Sequence, residues 1–397
     1  MDREPGSVPR TRWTSFLKDV LVCSLGAYGG PESHISVFLN RMVSKRRYLA
    51  EEELIELMAL CSILPGPTST QTIVSIGYQT GGPKLALLTM LVWALPVLSA
   101  MTALSFLYGF LAERNISAEV LRYVGPMAVG FIIVAAVRIG RKVVKDITTA
   151  FLLLFGGGVT FFVRQPWIFP VVLLAGAAAG ILVYREQGMW NRVTVKPRWI
   201  YFAAFVLLAA GGLIASGLTE VRLAALFERF YRYGYLVFGG GQVVVPVMYS
   251  ELVDVHQFMT SGEFLTGYGL VQGLPGPMFS FAAYAGGMAA RYGGIPVQLL
   301  GAAIGGIGIF LPGLLLIYFV YPLWEDLKRI RAVRISLAGI NAVAGGLIAA
   351  AAVILMIASG FTWDNLLVTA LAGVLLGFTG IPAPLIVLTA LAAGFIG

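Results

Sequence analysis

The four residues Leu64, Pro65, Gly66 and Pro67 return as Leu274, Pro275, Gly276 and Pro277, 210 positions further along the chain. Proline removes a backbone donor and glycine costs helical entropy, so Pro-Gly-Pro inside an apolar run divides a helix in two. When membrane helices are broken at matching places in two halves, the breaks build a binding site. Composition puts these helices in a membrane: 58% of the 397 residues are hydrophobic, 12% are charged, and the mean hydropathy is +0.84, too apolar for a soluble domain. The net charge of +8 is what Lys and Arg gathered in cytoplasmic loops produce, so no nucleic-acid partner is implied. Met1 to Arg12 is polar and basic and does not read as a cleaved leader. Cys23 and Cys61 lie in apolar stretches and fit no metal-ligand spacing; neither a metal nor a cofactor is expected.

Val20 to Gly30 is apolar over a length that covers only about half of a ~30 Å hydrocarbon core. It stops at Tyr28-Gly29-Gly30-Pro31, and Glu32 to Val43 then runs back into Lys45-Arg46-Arg47. Basic residues at both ends predict a re-entrant hairpin opening on the cytoplasm. Leu54 to Leu64, the break, and Thr68 to Tyr78 repeat the arrangement, as a second hairpin or a kinked span. Full spans are expected at about 85–111, 120–137, 147–163, 167–184, 200–218, 296–321, 335–357, 366–378 and 382–396. Loops 138–145, 185–198 and 328–334 carry the remaining basic clusters and are expected in the cytoplasm.

At the offset of 210, Tyr28-Gly29-Gly30 meets Phe238-Gly239-Gly240, Glu53 meets Glu263, and Gly77 meets Gly287, with no gap. Such a register marks an internal repeat. The expected fold class is an all-α polytopic membrane protein of two inverted-topology repeats with broken or re-entrant helices. Residues 1–13 are expected as a cytoplasmic tail, 14–198 as the first repeat, 199–218 as a linking span and 219–397 as the inverted second repeat. The N-terminus then lies inside and the C-terminus outside.

Each break exposes the start of a half-helix, whose first amides lack intrahelical partners and whose dipole places about half a positive charge there. Four such starts, after Gly30, Pro67, Gly241 and Pro277, give roughly two positive charges, enough for a divalent oxyanion without a buried lysine or arginine. Thr68, Ser69 and Thr70 offer hydroxyls as caps or donors, His34 lies one turn into its half-helix, Gln242 and Gln272 are uncharged amide donors, and Ser280 lies just beyond Pro277. Glu32 and His34 are the candidates for proton coupling. For Glu32, Glu53 and Glu263 a structural role, completing a helix start or meeting the interface, is the simpler reading.

On these motifs the chain resembles the chromate ion transporter (CHR) family in its long two-repeat form. GGPESHISVF, KRRYL and LMALCSILPGPTSTQ in the first half, and FGGGQVVVP and GYGLVQGLPGPMFSFAAYAG in the second, are similar to that family's signatures, and the likeness runs from Ser15 to about Ile357. The resemblance implies an inner-membrane transporter that exports chromate and confers chromate resistance. It carries over Gly29, Gly30, Pro31, His34, Pro65, Gly66, Pro67, Ser69, Gln71, Gly239, Gly240, Gly241, Gln272, Pro275, Gly276 and Pro277 as motif positions. Arg41 stands where many relatives have an acid, and Gln242 where a histidine is frequent.

Sulfate, nearly chromate's match in size and charge, is the alternative substrate. A membrane-embedded enzyme would need a nucleophile with its base, a paired aspartate or a zinc HExxH, and the sequence offers none. The expected partners are the oxyanion, membrane lipid and, at most, a second copy in a homodimer. Membrane potential or proton-motive force is the expected energy source.

Overall fold

The structure is a computed structural model that describes residues 12–29, 31–114, 117–165, 167–184, 197–218, 222–236, 241–324 and 331–396. Among these residues every regular element is helical. The expectations for Gly30, Gly239 and Gly240, for the tail before residue 12 and for most of the loop 185–198 lie outside the described residues.

The first hairpin is α1 (Trp13–Gly26), the turn at Gly29, and α2 (Pro31–Phe38) continued by a π-helical stretch, Leu39–Lys45. Helix α3 (Glu51–Ile63) then leads into the first Pro-Gly-Pro, and α4 (Thr68–Glu113) leaves it. Helix α4 is itself divided at Gly81 and Gly82 into a short segment, 68–80, and a long one, 83–113. The 14 residues of α1, the 13 of α3 and the short segment of α4 each reach roughly 20 Å, well short of a ~30 Å core.

Contacts between hairpin ends show that the chain doubles back. Buried Asp19 on α1 is met by Arg41 (2.5 Å), Arg46 (2.9 Å) and the Tyr48 hydroxyl (2.7 Å), all beyond the turn. Gln79, near the end of the short segment of α4, donates to Glu53 at the start of α3 (3.3 Å). Both features of the first half are therefore hairpins, and the kinked-span alternative for residues 54–78 falls away.

A short turn α5 (Ser117–Val120) precedes α6 (Val124–Val143), α7 (Ile147–Phe162) and α8 (Ile168–Val183). The span expected at 120–137 is thus shifted toward the C-terminus, because Pro126 suits a first helical turn and ends the preceding turn structure. Helix α9 (Trp199–Leu218) links the halves with its apolar side chains exposed.

The second half repeats the order. It comprises α10 (Arg222–Leu236), a 3-10 turn Gly241–Val243 into α11 (Val244–Tyr249) with a π-helical continuation Ser250–Val255, and α12 (Ser261–Gln272). After the second break come a 3-10 turn Met278–Ser280, α13 (Phe281–Ala290), α14 (Ile295–Val320), α15 (Arg331–Ser359), α16 (Trp363–Phe378) and α17 (Ala383–Ile396).

The offset of 210 holds down to single hydrogen bonds. Tyr48 N donates to Met42 O at 2.8 Å, and Phe258 N to Leu252 O at 2.8 Å. Arg47 (φ 52°) and Gln257 (φ 49°) are the described non-glycine residues with positive φ. Glu53 and Glu263 each accept from the backbone three residues earlier, Ala50 N and Thr260 N, both at 2.8 Å. These acids complete helix starts, a structural role more specific than the interfacial position expected for them. Glu263 also pairs with Arg291 (2.7 Å), closing the second-half hairpin as Gln79 closes the first.

The halves interlock through α6 and α15: α15 packs along α6, α7 and α8, while α6 packs against α16 and α12. Glycines permit the crossings. A β-carbon on Gly130 would lie 2.6 Å from Thr369 O, on Gly156 2.8 Å from Val343 O, and on Gly180 2.9 Å from Ile335 O. Small residues at contacts are how membrane helices approach one another closely. Ile147, Leu154, Phe162, Leu174, Leu182, Trp363 and Phe378 stay exposed and form the lipid-facing rim. Where α7 starts, the Tyr184 hydroxyl and Thr149 amide donate to the Asp146 carboxylate and hold it below the usual carboxylate range.

Candidate substrate site at the helix breaks

Gly66 (φ 128°) and Gly276 (φ 104°) occupy a conformation that L side chains rarely adopt, which is why each break needs glycine between its prolines. The backbone leaves α3 extended at Leu64 (φ −80°, ψ 145°) and re-enters a helix after Pro67 (φ −73°, ψ 96°). The first helical bond beyond the break runs from Gln71 N to Pro67 O (2.9 Å), so the amides of 68–70 precede the ladder. In the second half the first such bond is from Ser280 N to Pro277 O (2.9 Å), ahead of which stand the amides of Met278 and Phe279.

The structure brings several of the expected residues together. His34 Nδ1 lies 2.9 Å from Ser69 Oγ, joining the two breaks of the first half. With Ser69 donating to Nδ1, Nε2 carries the hydrogen; that atom is buried and has no partner. Trp93 stands against the His34 ring (centroids 5.4 Å) and donates to Thr70 Oγ1 (3.1 Å), while its carbonyl accepts from Ser24 (2.7 Å). Across the repeats, Gly276 N donates to Ala27 O at 2.7 Å, so the tip of the first hairpin touches the second Pro-Gly-Pro. Val97, one turn beyond Trp93, would lie 3.0 Å from a β-carbon on Gly276.

Other expected residues have different surroundings. Gln71 folds back on the break and donates from Nε2 to Pro65 O (2.8 Å), leaving Oε1 buried and unpartnered. A narrow cleft there is lined by Pro67, Thr70, Gln71, Phe310 and Gly313. Thr68 begins α4, and its carbonyl accepts from the Thr72 hydroxyl (2.8 Å). Pro31 and Glu32 open α2, Gly241 and Gln242 begin the 3-10 turn, and Gln272 ends α12. Among the described residues no hydrogen bond joins Gln242 or Gln272 to the His34–Ser69 pair. Gln272 Nε2 and Ser280 Oγ are buried without partners.

Sequence reasoning passed over Trp93, which organises the His34–Ser69–Thr70 group from the middle of a long span, and Tyr268. Tyr268 lies one helical turn before Gln272; that i, i+4 spacing on one face is the signal that could have found it. Its hydroxyl is also buried and unpartnered. A buried polar atom without a protein partner costs about 1–3 kcal/mol, and His34 Nε2, Gln71 Oε1, Gln272 Nε2, Ser280 Oγ and the Tyr268 hydroxyl are such atoms near the breaks.

A protein family described as Chromate transporter matches residues 14–181 and 224–397. A chromate transport protein of Pseudomonas aeruginosa is 27% identical over 355 residues, covering 87% of this chain and 80% of that protein. A probable chromate transport protein of Synechococcus elongatus is 27% identical over 376 residues, covering 94% and 93%. A chromate transport protein of Cupriavidus metallidurans is 25% identical over 337 residues, covering 83% and 79%. No solved structure matches the chain.

Proposed function

The chain belongs to the chromate transporter family, and from that membership we propose that it carries chromate out of the cytoplasm through the helix breaks. The observation that carries this reading is the meeting of the first hairpin's tip with the second Pro-Gly-Pro, Gly276 N to Ala27 O at 2.7 Å, next to helix starts after Pro67 and Pro277 whose first amides precede the hydrogen-bond ladder. Tetrahedral oxygens suit such amide and hydroxyl donors, and a site of neutral donors can release what it binds.

The family resemblance implies the inner membrane, and the distribution of Lys and Arg favours residues 41–47, 138–145 and 328–334 in the cytoplasm and the C-terminus outside. Residues 14–198 and 219–397 form the repeats, linked by 199–218. The substrate positions are those carried over from the sequence, with His34, Ser69 and Gln272 presenting side chains.

Two negative charges leaving a cell ~100 mV negative inside release about 4.6 kcal/mol. At ~1.4 kcal/mol per decade this sustains roughly a thousandfold lower inside concentration. Voltage alone therefore suffices. In liposomes clamped with potassium and valinomycin, chromate is expected to move toward the positive side carrying net negative charge, while a pH gradient at zero voltage drives little uptake. Accumulation on the pH gradient alone would require a proton carrier, with His34 and Glu32 the first residues to replace. Competition with sulfate, molybdate and phosphate in the same vesicles decides the anion; flux of sulfate with none of chromate would refute the chromate assignment.

A further inference from the structure

The second break carries a side chain that lies within GYGLVQGLPGPMFSFAAYAG but is not among the substrate positions named above. Tyr268, on α12, is 1% exposed; its hydroxyl stands beside the Gln272 side chain one turn on but makes no hydrogen bond of good geometry with it or with any other described group. It lines a narrow cavity with Met278, Phe279, Phe281, Met248 and Ile309. Met278 and Phe279 are the first residues of the helical run leaving Pro277, and their amides precede its first hydrogen bond. Tyr268 and the two residues that start the helix after Pro277 thus line one space, together with Val244, and its lining includes no carboxylate and no cation. Apolar walls strengthen whatever electrostatic attraction acts there.

Comparison at the offset of 210 sharpens the point. His34 of the first half corresponds to Val244, and Tyr268 of the second corresponds to Met58. Each repeat therefore has one large buried donor where the other has an apolar residue: an imidazole with a free Nε2 in the first, a phenol with a free hydroxyl in the second. We propose that Tyr268 is the second repeat's counterpart of His34, a neutral donor that binds an oxygen of the transported oxyanion at the start of the helix after Pro277. Ser280 Oγ, 0% exposed and also unpartnered, stands just beyond it. This rests on the oxyanion reading above and adds the residue that holds the anion on the second-repeat side.

A structural phenol and a substrate-binding phenol respond oppositely to Tyr268→Phe. Removing an unpartnered buried hydroxyl leaves the empty protein as stable as before or more so. Removing a donor to an anion lowers chromate affinity by about 10- to 100-fold, the usual worth of a hydrogen bond to a charged group. Purified wild type, Tyr268→Phe and Ser280→Ala are to be compared by thermal unfolding and by flux KM, with chromate, sulfate, molybdate and phosphate. Unchanged melting without anion, together with a weakened chromate response in Tyr268→Phe, is the expected result. Wild-type chromate affinity in Tyr268→Phe would overturn the inference while leaving the function standing, and so would a large loss of stability without anion, which would reveal a protein partner for the hydroxyl. If another oxyanion, not chromate, stabilises wild type and does so less in Tyr268→Phe, the inference holds and the chromate reading fails. If none of the four stabilises wild type or is transported, both fail.

Discussion

Single residues decide whether the breaks can exist. At φ 128° and 104°, Gly66 and Gly276 admit no β-branched side chain without strain, and a β-carbon would press on Gln71 Nε2 (2.6 Å) in the first and Val97 (3.0 Å) in the second. Replacing either with valine is expected to cost ~1–3 kcal/mol locally and to abolish flux while the protein still inserts; fractionation followed by vesicle transport measures both, and normal flux in both variants would place the substrate elsewhere. The glycines were legible in the sequence because proline and glycine have few structural uses inside an apolar run. So was His34, by its distance from Gly30. Its partner was not: thirty-five positions separate it from Ser69, and only the second hairpin's return brings them to 2.9 Å. Tyr268 was legible only through its i, i+4 spacing from Gln272. What marks it further is the lack of a partner, and a sequence gives no account of which hydroxyls go unsatisfied.

At the level of elements, the hairpins are closed by ion pairs whose signs are exchanged between the repeats. In the first, an acid on the entering helix, Asp19, meets Arg41 and Arg46 beyond the turn. In the second, Arg232 on the entering helix meets Glu251 (2.9 Å), the residue at the offset of 210 from Arg41, and Arg229 lies 3.0 Å from His256, opposite Arg46. Asp19→Arg leaves buried positive charge facing two guanidiniums and is expected to prevent accumulation, since breaking one side of a buried pair typically costs ~3–5 kcal/mol. Asp19→Arg combined with Arg41→Asp should recover part of the folded yield by detergent size-exclusion profile, because the second repeat already uses that polarity. A double variant no better than the single would show that Arg46 and Tyr48, not Arg41, govern the hairpin. The repeat register foretold the matched elements; it could not foretell this exchange, which depends on which charges face one another rather than on which letters match. The π-helical stretches at Leu39–Lys45 and Ser250–Val255 were equally hidden, since no residue pattern sets them apart from α-helix.

For the molecule as a whole, the interlocked α6 and α15 mean that neither half has a complete packing surface alone. Glycine-lined crossings such as Gly130 on Thr369 bring the repeats into backbone contact, where the buried Thr369 hydroxyl donates to Pro126 O at 2.9 Å; because the lipid-facing rim and most of the interior are both apolar, composition alone separated neither. The exchanged ion pairs also bear on how the protein is made. Residues 41–47 read RMVSKRR, whereas 251–257 read ELVDVHQ, with no lysine or arginine. In the inverted topology proposed above, two halves of one architecture emerging from the ribosome thread the bilayer in opposite senses, and each carries its own instruction: the same turn is heavily basic where it would stay behind and stripped of fixed positive charge where it would cross. Restoring basic residues at Glu251, Asp254, His256 and Gln257 should therefore yield a mixed population in which that turn is labelled from the cytoplasm in some molecules and from outside in others. A single orientation in the variant would mean that the first half alone dictates how the second is threaded.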